Sequence, residues 1–372
     1  MTASLAGHVS DLLTTTGLPL AALVSLTVAL LTVATDPLHR RFTADTNHGD
    51  ESKPQRFHSA PVPRVGGIAI MIALWVTLPF VSKSLHDLLF SLLIAALPAF
   101  LGGLGEDLFK KVGVAARLFL TMCSGIIAWS MTGYSLTSIA LPGIDPLLAT
   151  IPVISVIFTA FATGGVANAV NMIDGFNGLA SGSVIIALAG LAAIAAATGD
   201  QPIFQLSLLI IMAIAGFMMV NYPSGKLFLG DGGAYLIGFL LAWIAVMLPA
   251  RNPEVSVWAP LLAAAYPVNE TLVSMARRLI SRTSMGEPDR LHLHSLVKVR
   301  IVKPRFPGLP LWLRNSLVAP FCWLYAAPLA ILATLYRTNT LTLQLLWLGS
   351  VVLYAIWYTW LLTRPDHDTT NG

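Results

Sequence analysis

The feature that most constrains this chain is a recurrence. Runs of about 20 mostly apolar residues, broken by polar segments, follow one another from Leu18 almost to the end. A helix rising about 1.5 Å per residue needs about 20 such residues to cross a hydrocarbon core about 30 Å thick. Candidates fall at roughly 17–35, 65–82, 86–104, 115–132, 150–168, 179–198, 203–221, 232–250, 256–274, 316–335 and 342–362. With 11% charged and 56% apolar residues over 372 positions, the composition lies far from the ~25% charge of soluble domains. The expected fold is an all-α, polytopic membrane bundle of about 11 spans, forming one integral domain over residues 1–372.

Basic residues accumulate on the cytoplasmic side of membrane proteins. With this span map, 19 of the 22 Lys and Arg fall in loops after odd-numbered spans or at the C-terminus. That predicts an N-out, C-in topology. The first Lys or Arg is Arg40, after the first apolar run, so no signal peptide is expected. Two polar stretches, 36–64 and 275–315, are read as cytoplasmic loops. The net charge of +4 lies beside the spans, which suggests a basic membrane face and no nucleic-acid partner. Cys123 and Cys322 both lie in apolar runs and offer no disulfide framework or CxxC metal site.

The polar motifs fall on one side of this map. Asp174, with Asn168, Asn171 and Asn177 around it and Gly175 beside it, sits where a helix meets the cytoplasm. A carboxylate so near hydrocarbon is a functional candidate, with a capped polar loop as the competing reading. Glu106 and Asp107 end a helix after Gly102, Gly103 and Gly105, and Lys110 and Lys111 follow within a turn. Adjacent carboxylates cannot share one helix face, so they are expected to serve different partners. The lysines could hold phosphate. Asp231 lies in the Gly-rich turn Phe228-Leu229-Gly230-Asp231-Gly232-Gly233, with little else nearby in sequence to pair it. It could cap the following helix or ligate Mg²⁺. Phe228 could stack on a planar base or simply pack. His292 and His294 alternate with leucines, which puts both imidazoles on one side of an extended segment or on neighbouring faces of a turn. Separated carboxylates, lysines, histidines and Gly turns on one face suit metal-assisted phosphoryl transfer. A transporter or flippase with ion-coupling carboxylates is the alternative. Its sites would lie near the midplane, where these spans looked nearly charge-free.

In order along the chain, Arg56-Phe57-His58-Ser59-Ala60-Pro61-Val62-Pro63-Arg64-Val65-Gly66-Gly67, Gly105-Glu106-Asp107-Leu108, Asn168 to Gly178, Asn221-Tyr222-Pro223 to Asp231, and Pro288 to His294 resemble the motifs of the polyprenyl-phosphate N-acetylhexosamine-1-phosphate transferases. His-Leu-His resembles the O-antigen and common-antigen branch rather than the muramoyl-pentapeptide translocase. The resemblance implies transfer of a sugar-1-phosphate from a UDP-sugar to undecaprenyl phosphate, with release of UMP, at the cytoplasmic face of a bacterial inner membrane. It implies Mg²⁺, with Mn²⁺ as the alternative, on Asp231 and Asp107. Glu106 and Asp107 would orient the lipid phosphate and the metal, and His292, His294 and Arg290 would meet the diphosphate and sugar. Substrate binding would fall to Arg64, Lys110, Lys111, Asn168, Asn171, Asp174, Asn177, Asn221 and Phe228. A homodimer is a further expected assembly. Two positions depart from the family pattern: Glu106 stands where Asp is usual, and Ser295 where many members have another His.

Overall fold

The structure, a computed structural model, describes residues 2–39, 62–282 and 291–364. Every regular element among them is helical. The long helices are α1 (Thr2–His39), α2 (Gly66–Thr77), α3 (Lys83–Phe109) and α4 (Val114–Thr132). A short α5 (Asp145–Thr150) precedes α6 (Pro152–Met172), α7 (Leu179–Thr198), α8 (Gln201–Asn221) and α9 (Gly230–Arg251). Then come α10 (Trp258–Ala263), α11 (Ala265–Ser281), the short α12 (Leu293–Val297), α13 (Lys303–Arg305) and α14 (Leu311–Ser316), and finally α15 (Val318–Leu335) and α16 (Thr340–Thr363).

Among the described residues, nine helical stretches are long and apolar enough to cross a membrane. Two of the expected spans depart from that form. The second is the shorter α2, extended only by a 3₁₀ turn to Phe80. The ninth is broken at Ala264 into α10 and α11, a segment in which Pro260 and Pro267 each lack a backbone N–H. The fifth runs on through Gly164 and Gly165 to Met172, so Asn168 and Asn171 lie on its last turns rather than in a loop. The stretch read as the basic loop 275–315 is largely helical where described: α11 continues to Ser281, and a π-helical turn at Lys298–Val302 joins α12 to α13.

The bundle is built around α9, which α2, α3, α6 and α7 surround. Its Tyr235, Phe239 and Trp243 are fully buried. Helix association in lipid gains little from the hydrophobic effect and relies on close van der Waals packing. Small residues supply that closeness here. A Cβ on Gly67 would collide with the Gly233 backbone, and one on Gly103 with the backbone of Asp231. Pro98 interrupts the hydrogen-bond ladder of α3, and the Ala99 N–H instead donates to Ser124 Oγ on α4 at 3.0 Å. The tight contacts of α2, α3 and α9 all lie at the end of the bundle that carries the polar motifs.

Candidate functional site

The first turn of a helix has backbone amides without intrahelical partners, and it is the positive end of the helix dipole. At the start of α9, carboxylates from two other elements take those amides. Gly232 N–H donates to Asp107 Oδ2 at 2.9 Å, and Gly230 N–H hydrogen-bonds the Asp174 carboxylate. Asp231, in the same turn, forms an ion pair with Arg117 of α4 and lies 3.9 Å from Arg64 Nη2. Three carboxylates and two guanidinium groups therefore meet at one helix N-terminus. The expectation that Asp231 has little to pair it is corrected by the fold. Arg117 stands one turn inside an apolar helix and is 8% exposed, so sequence distance hid the partnership.

The backbone fixes this geometry. Phe228 N–H donates to Pro63 O (2.9 Å), Gly66 N–H to Phe228 O (2.9 Å) and Gly67 N–H to Leu229 O (3.0 Å). This pairing carries Arg64 over the α9 start. Gly230 has φ +75, and a Cβ there would run into the Arg64 carbonyl and the Asp107 carboxylate, so no other residue fits.

The adjacent carboxylates serve different partners, as the helix geometry requires. Asp107 points across to α9. Glu106 Oε2 accepts from Val112 N–H at 2.9 Å and so braces the turn between α3 and α4. α3 ends at Lys110, whose backbone is left-handed (φ 54) and whose N–H returns to Glu106 O. Lys110 and Lys111 are exposed beside the cluster.

Asp174 is half-buried in the turn between α6 and α7. Burial pushes its carboxyl up to about 7; nearby Asp107 adds to the rise, while Arg64 and the Gly230 N–H oppose it. Asn171 is half-buried, and its carbonyl accepts from Asp174 N–H at 3.2 Å. Asn168 Oδ1 accepts from Tyr235 OH at 3.0 Å, and the Tyr235 ring lies 5.7 Å from the Arg117 guanidinium carbon, so Asn168 reaches Asp231 through two intermediaries.

Two asparagines expected to face substrate are turned into the protein. Asn221 is 4% exposed; its Oδ1 accepts from Gly178 N–H at 2.7 Å and its Nδ2 donates to Leu227 O at 2.8 Å. Asn177 is 1% exposed, and its Nδ2 donates to Pro223 O (3.1 Å) and Ser316 Oγ (3.2 Å). They lock the Asp174 turn onto the 221–228 turn rather than lining an open face. Phe228 is half-buried, between its backbone bonds to Pro63 and Gly66.

A second cluster adjoins the first. The rings of His292 and His294 stack with centroids 5.2 Å apart and planes 11° apart, on one side of the segment. Neither is a surface-loop side chain, with 14% and 4% exposure. A Cβ added at Gly175 would lie 3.1 Å from His294 Nε2, which places this ring against the Asp174 turn. The Phe176 ring meets His294 edge-on at 5.6 Å, and Lys298 Nζ lies 5.3 Å from the Phe176 centroid. Arg290 lies outside the described residues, as does most of the 36–64 loop with Arg56 to Pro61.

Among the described residues no three His, Cys, Asp or Glu side chains form an all-protein metal cage. The carboxylates nonetheless fit a hard cation that also takes phosphate and water. Asp107 Oδ1 is buried with no hydrogen-bond partner among the described residues, and Mg²⁺ is usually held by one or two carboxylates plus substrate phosphates.

Sequence reasoning missed Arg117, Tyr235 and Glu270. Glu270 is 1% exposed on α11, behind both histidines. A lone acid inside an expected span was the available signal.

The family model described as glycosyl transferase family 4 matches residues 89–249. Those residues carry the α3, Asp174 and α9 parts of the site and stop short of the histidines. The chain is 25% identical over 274 residues to a probable undecaprenyl-phosphate N-acetylglucosaminyl 1-phosphate transferase from Bacillus subtilis, covering 73% of this chain and 75% of that protein. It is 28% identical over 263 residues to the undecaprenyl-phosphate alpha-N-acetylglucosaminyl 1-phosphate transferase of Thermotoga maritima (70% and 77% covered). The protein of the same name from Yersinia pestis is 26% identical over 257 residues (67% and 68%).

Proposed function

We propose that this chain, of which residues 89–249 match the glycosyl transferase family 4 model, works as a member of that family and transfers a sugar-1-phosphate, N-acetylhexosamine-1-phosphate, from a UDP-sugar to undecaprenyl phosphate. UMP is released, and the product starts a lipid-linked surface glycan. The observation that carries the reading is the N-terminus of α9, where Asp231, Asp107 and Asp174 converge with Arg64 and Arg117. Like charges gathered at that cost imply a ligand that completes the set.

An oxygen of the lipid phosphate attacks the β-phosphorus of the sugar nucleotide. The bond from that phosphorus to the bridging oxygen breaks, and its electron pair leaves with UMP. Arg64, Lys110 and Lys111 lie where they can hold phosphates against this centre. Asp174 and Asn171, with Phe228, form the nucleoside side, and Asn177 and Asn221 hold that turn in place. His294, against Gly175, and His292, stacked on it, would meet the diphosphate and sugar. Asp231 and Asp107 would hold Mg²⁺, or Mn²⁺, which supplies neutralisation of the phosphoryl oxygens. The site would face the cytoplasm of a bacterial inner membrane, with the N-terminus outside.

The test is UMP release by purified protein with undecaprenyl phosphate, Mg²⁺ and a panel of UDP-sugars. UMP is expected only when both substrates are present. No release from any of them rejects the reading. The orientation has its own test: cysteines placed beside Lys110 or Leu291 are expected to resist a membrane-impermeant thiol reagent in intact cells, and efficient labelling rejects the cytoplasmic site.

A further inference from the structure

Glu270 lies outside every motif discussed so far, yet its surroundings are those of a working group. It is 1% exposed, on α11. Its Oε1 lies 3.1 Å from His292 Nδ1 and accepts from Leu293 N–H at 3.2 Å. Its Oε2 lies 3.8 Å from His294 Nδ1. One carboxylate thus faces the Nδ1 edges of both stacked rings and also holds the backbone between them.

A buried carboxylate is costly without compensation, and here the Nδ1 atoms of both imidazoles face it. Among the described residues, the other titratable groups facing it are Tyr354 from α16, Tyr266 from its own helix and Cys322 from α15. None of these carries positive charge. A carboxylate at Nδ1 fixes a proton there and leaves Nε2 to face the other way. For His294 that direction is known: Nε2 abuts Gly175, beside Asp174. Lys298 Nζ lies 5.3 Å from the centroid of the Phe176 ring, which meets His294 edge-on.

We propose that Glu270 is a positioning residue of the transferase: it holds His292 and His294 in one parallel orientation, keeps their Nδ1 atoms protonated, and so presents their Nε2 atoms to the diphosphate and sugar. This rests on the proposed function, because the substrate the histidines meet comes from that reading. The carboxylate touches no substrate itself.

The experiment compares the full-length wild type with Glu270→Gln and Glu270→Asp in detergent. The first readout needs no turnover. Diethylpyrocarbonate modifies neutral imidazole, so its rate at His292 and His294, followed by mass spectrometry against pH, gives the midpoint of each ring. Loss of the carboxylate is expected to lower those midpoints, because an opposite charge in contact is removed. The second readout is kcat against pH. Glu270→Gln is expected to lower kcat by on the order of 10- to 100-fold, as when the carboxylate behind a functional histidine is removed. The alkaline limb should move to lower pH, and KM for the lipid should stay within about twofold. Glu270→Asp should recover part of the rate and most of the midpoint, and it carries the test if the Gln variant does not fold. In a His292→Asn, His294→Asn background, Glu270→Gln should add nothing to the loss, because its effect passes through the rings. Unchanged midpoints, or a full additional loss in that background, overturn the proposal. Shifted midpoints in a wild type that releases no UMP reject the transferase reading and leave the positioning of the rings intact.

Discussion

α9 carries a charged cluster at each end, and the two are finished differently. At its C-terminal end Arg251 grips Asp200 through Nε (2.7 Å) and Nη2 (2.9 Å). Asn252 and the Ile203 N–H take the remaining positions on that carboxylate, at 3.0 and 3.3 Å. Arg251 also donates to Tyr134 OH at 3.1 Å. Burial alone would raise the Asp200 carboxyl, but the bonds from Arg251 and Asn252 hold it below the usual carboxylate range. At the N-terminal end Asp174 is pushed up to about 7, and Asp107 Oδ1 has no hydrogen-bond partner among the described residues. The same residue types make a saturated staple at one end and a cluster with spare acceptor capacity at the other. Saturation marks structure, and spare capacity marks a place for a ligand.

The largest effect expected from this contrast is catalytic. Asp107→Asn and Asp231→Asn should each lower kcat by about 100- to 1000-fold, the range for removal of one preorganised electrostatic group. Both should stay folded in detergent. Asp200→Asn should leave the rate per folded molecule within about twofold, since its carboxylate faces only the staple. A catalytic collapse in a folded Asp200→Asn protein would erase the distinction.

Within the N-terminal cluster the two adjacent carboxylates should separate. Glu106→Asp retracts the group from Val112 N–H and is expected to stay within about tenfold of the parent rate, or about 1.4 kcal/mol. Asp107→Glu should lose far more, because it must still fit between Gly232 N–H and Gly230, and an error of about 1 Å can cost a hundredfold. Rates at saturating lipid decide between them, and equal losses reverse the ranking.

The staple should show itself in stability. Arg251→Ala leaves a carboxylate that is 4% exposed without its cation, and a loss of about 2 kcal/mol is expected, between the values for exposed and buried pairs. The unfolding midpoint in detergent measures it; an unchanged midpoint dissolves the contrast from the other side.

The smallest effect is a pH dependence with opposite signs at the two ends. The contribution of the raised Asp174 carboxyl is fully present only below its ordinary value of 3.8 and is lost as pH rises from there through about 7. Asp174→Asn should therefore raise the unfolding midpoint at pH 8, raise it less at pH 5 and change it little below pH ~4. The depressed Asp200 carboxyl works the other way, contributing above the ordinary carboxylate range and losing that contribution in acid. Asp200→Asn should cost most at pH 8. Parallel behaviour of the two variants would show that the ends are equivalent.

The helical membrane architecture was legible because apolar length is a strong one-dimensional signal. The short α2 and the break at Ala264 blur it, since hydropathy reports apolar content and not helix continuity. Asp107, Asp174 and Asp231 were legible because charge is rare among apolar runs. Arg117 lies inside α4, and only the packing of α4 and α9 shows where its guanidinium goes. Asn177 and Asn221 have the residue type of ligand contacts, but which way an amide points depends on turns that meet only in the fold. Glu270 was passed over because the segment carrying it read as another span.

About 20 residues of helix separate Asp231 from Arg251, a rise of about 30 Å, close to the thickness of the hydrocarbon layer. α9 is thus a measuring rod, pinned at one face by the staple and carrying the cluster at the other. Its shell of neighbouring helices keeps most of it from touching acyl chains. Thinner or thicker bilayers act on the outer helices, which can tilt to accommodate them, while the rod keeps its length. The height at which a lipid phosphate must arrive is therefore set by protein, and turnover should vary little when the chain is reconstituted in lipids of different acyl length.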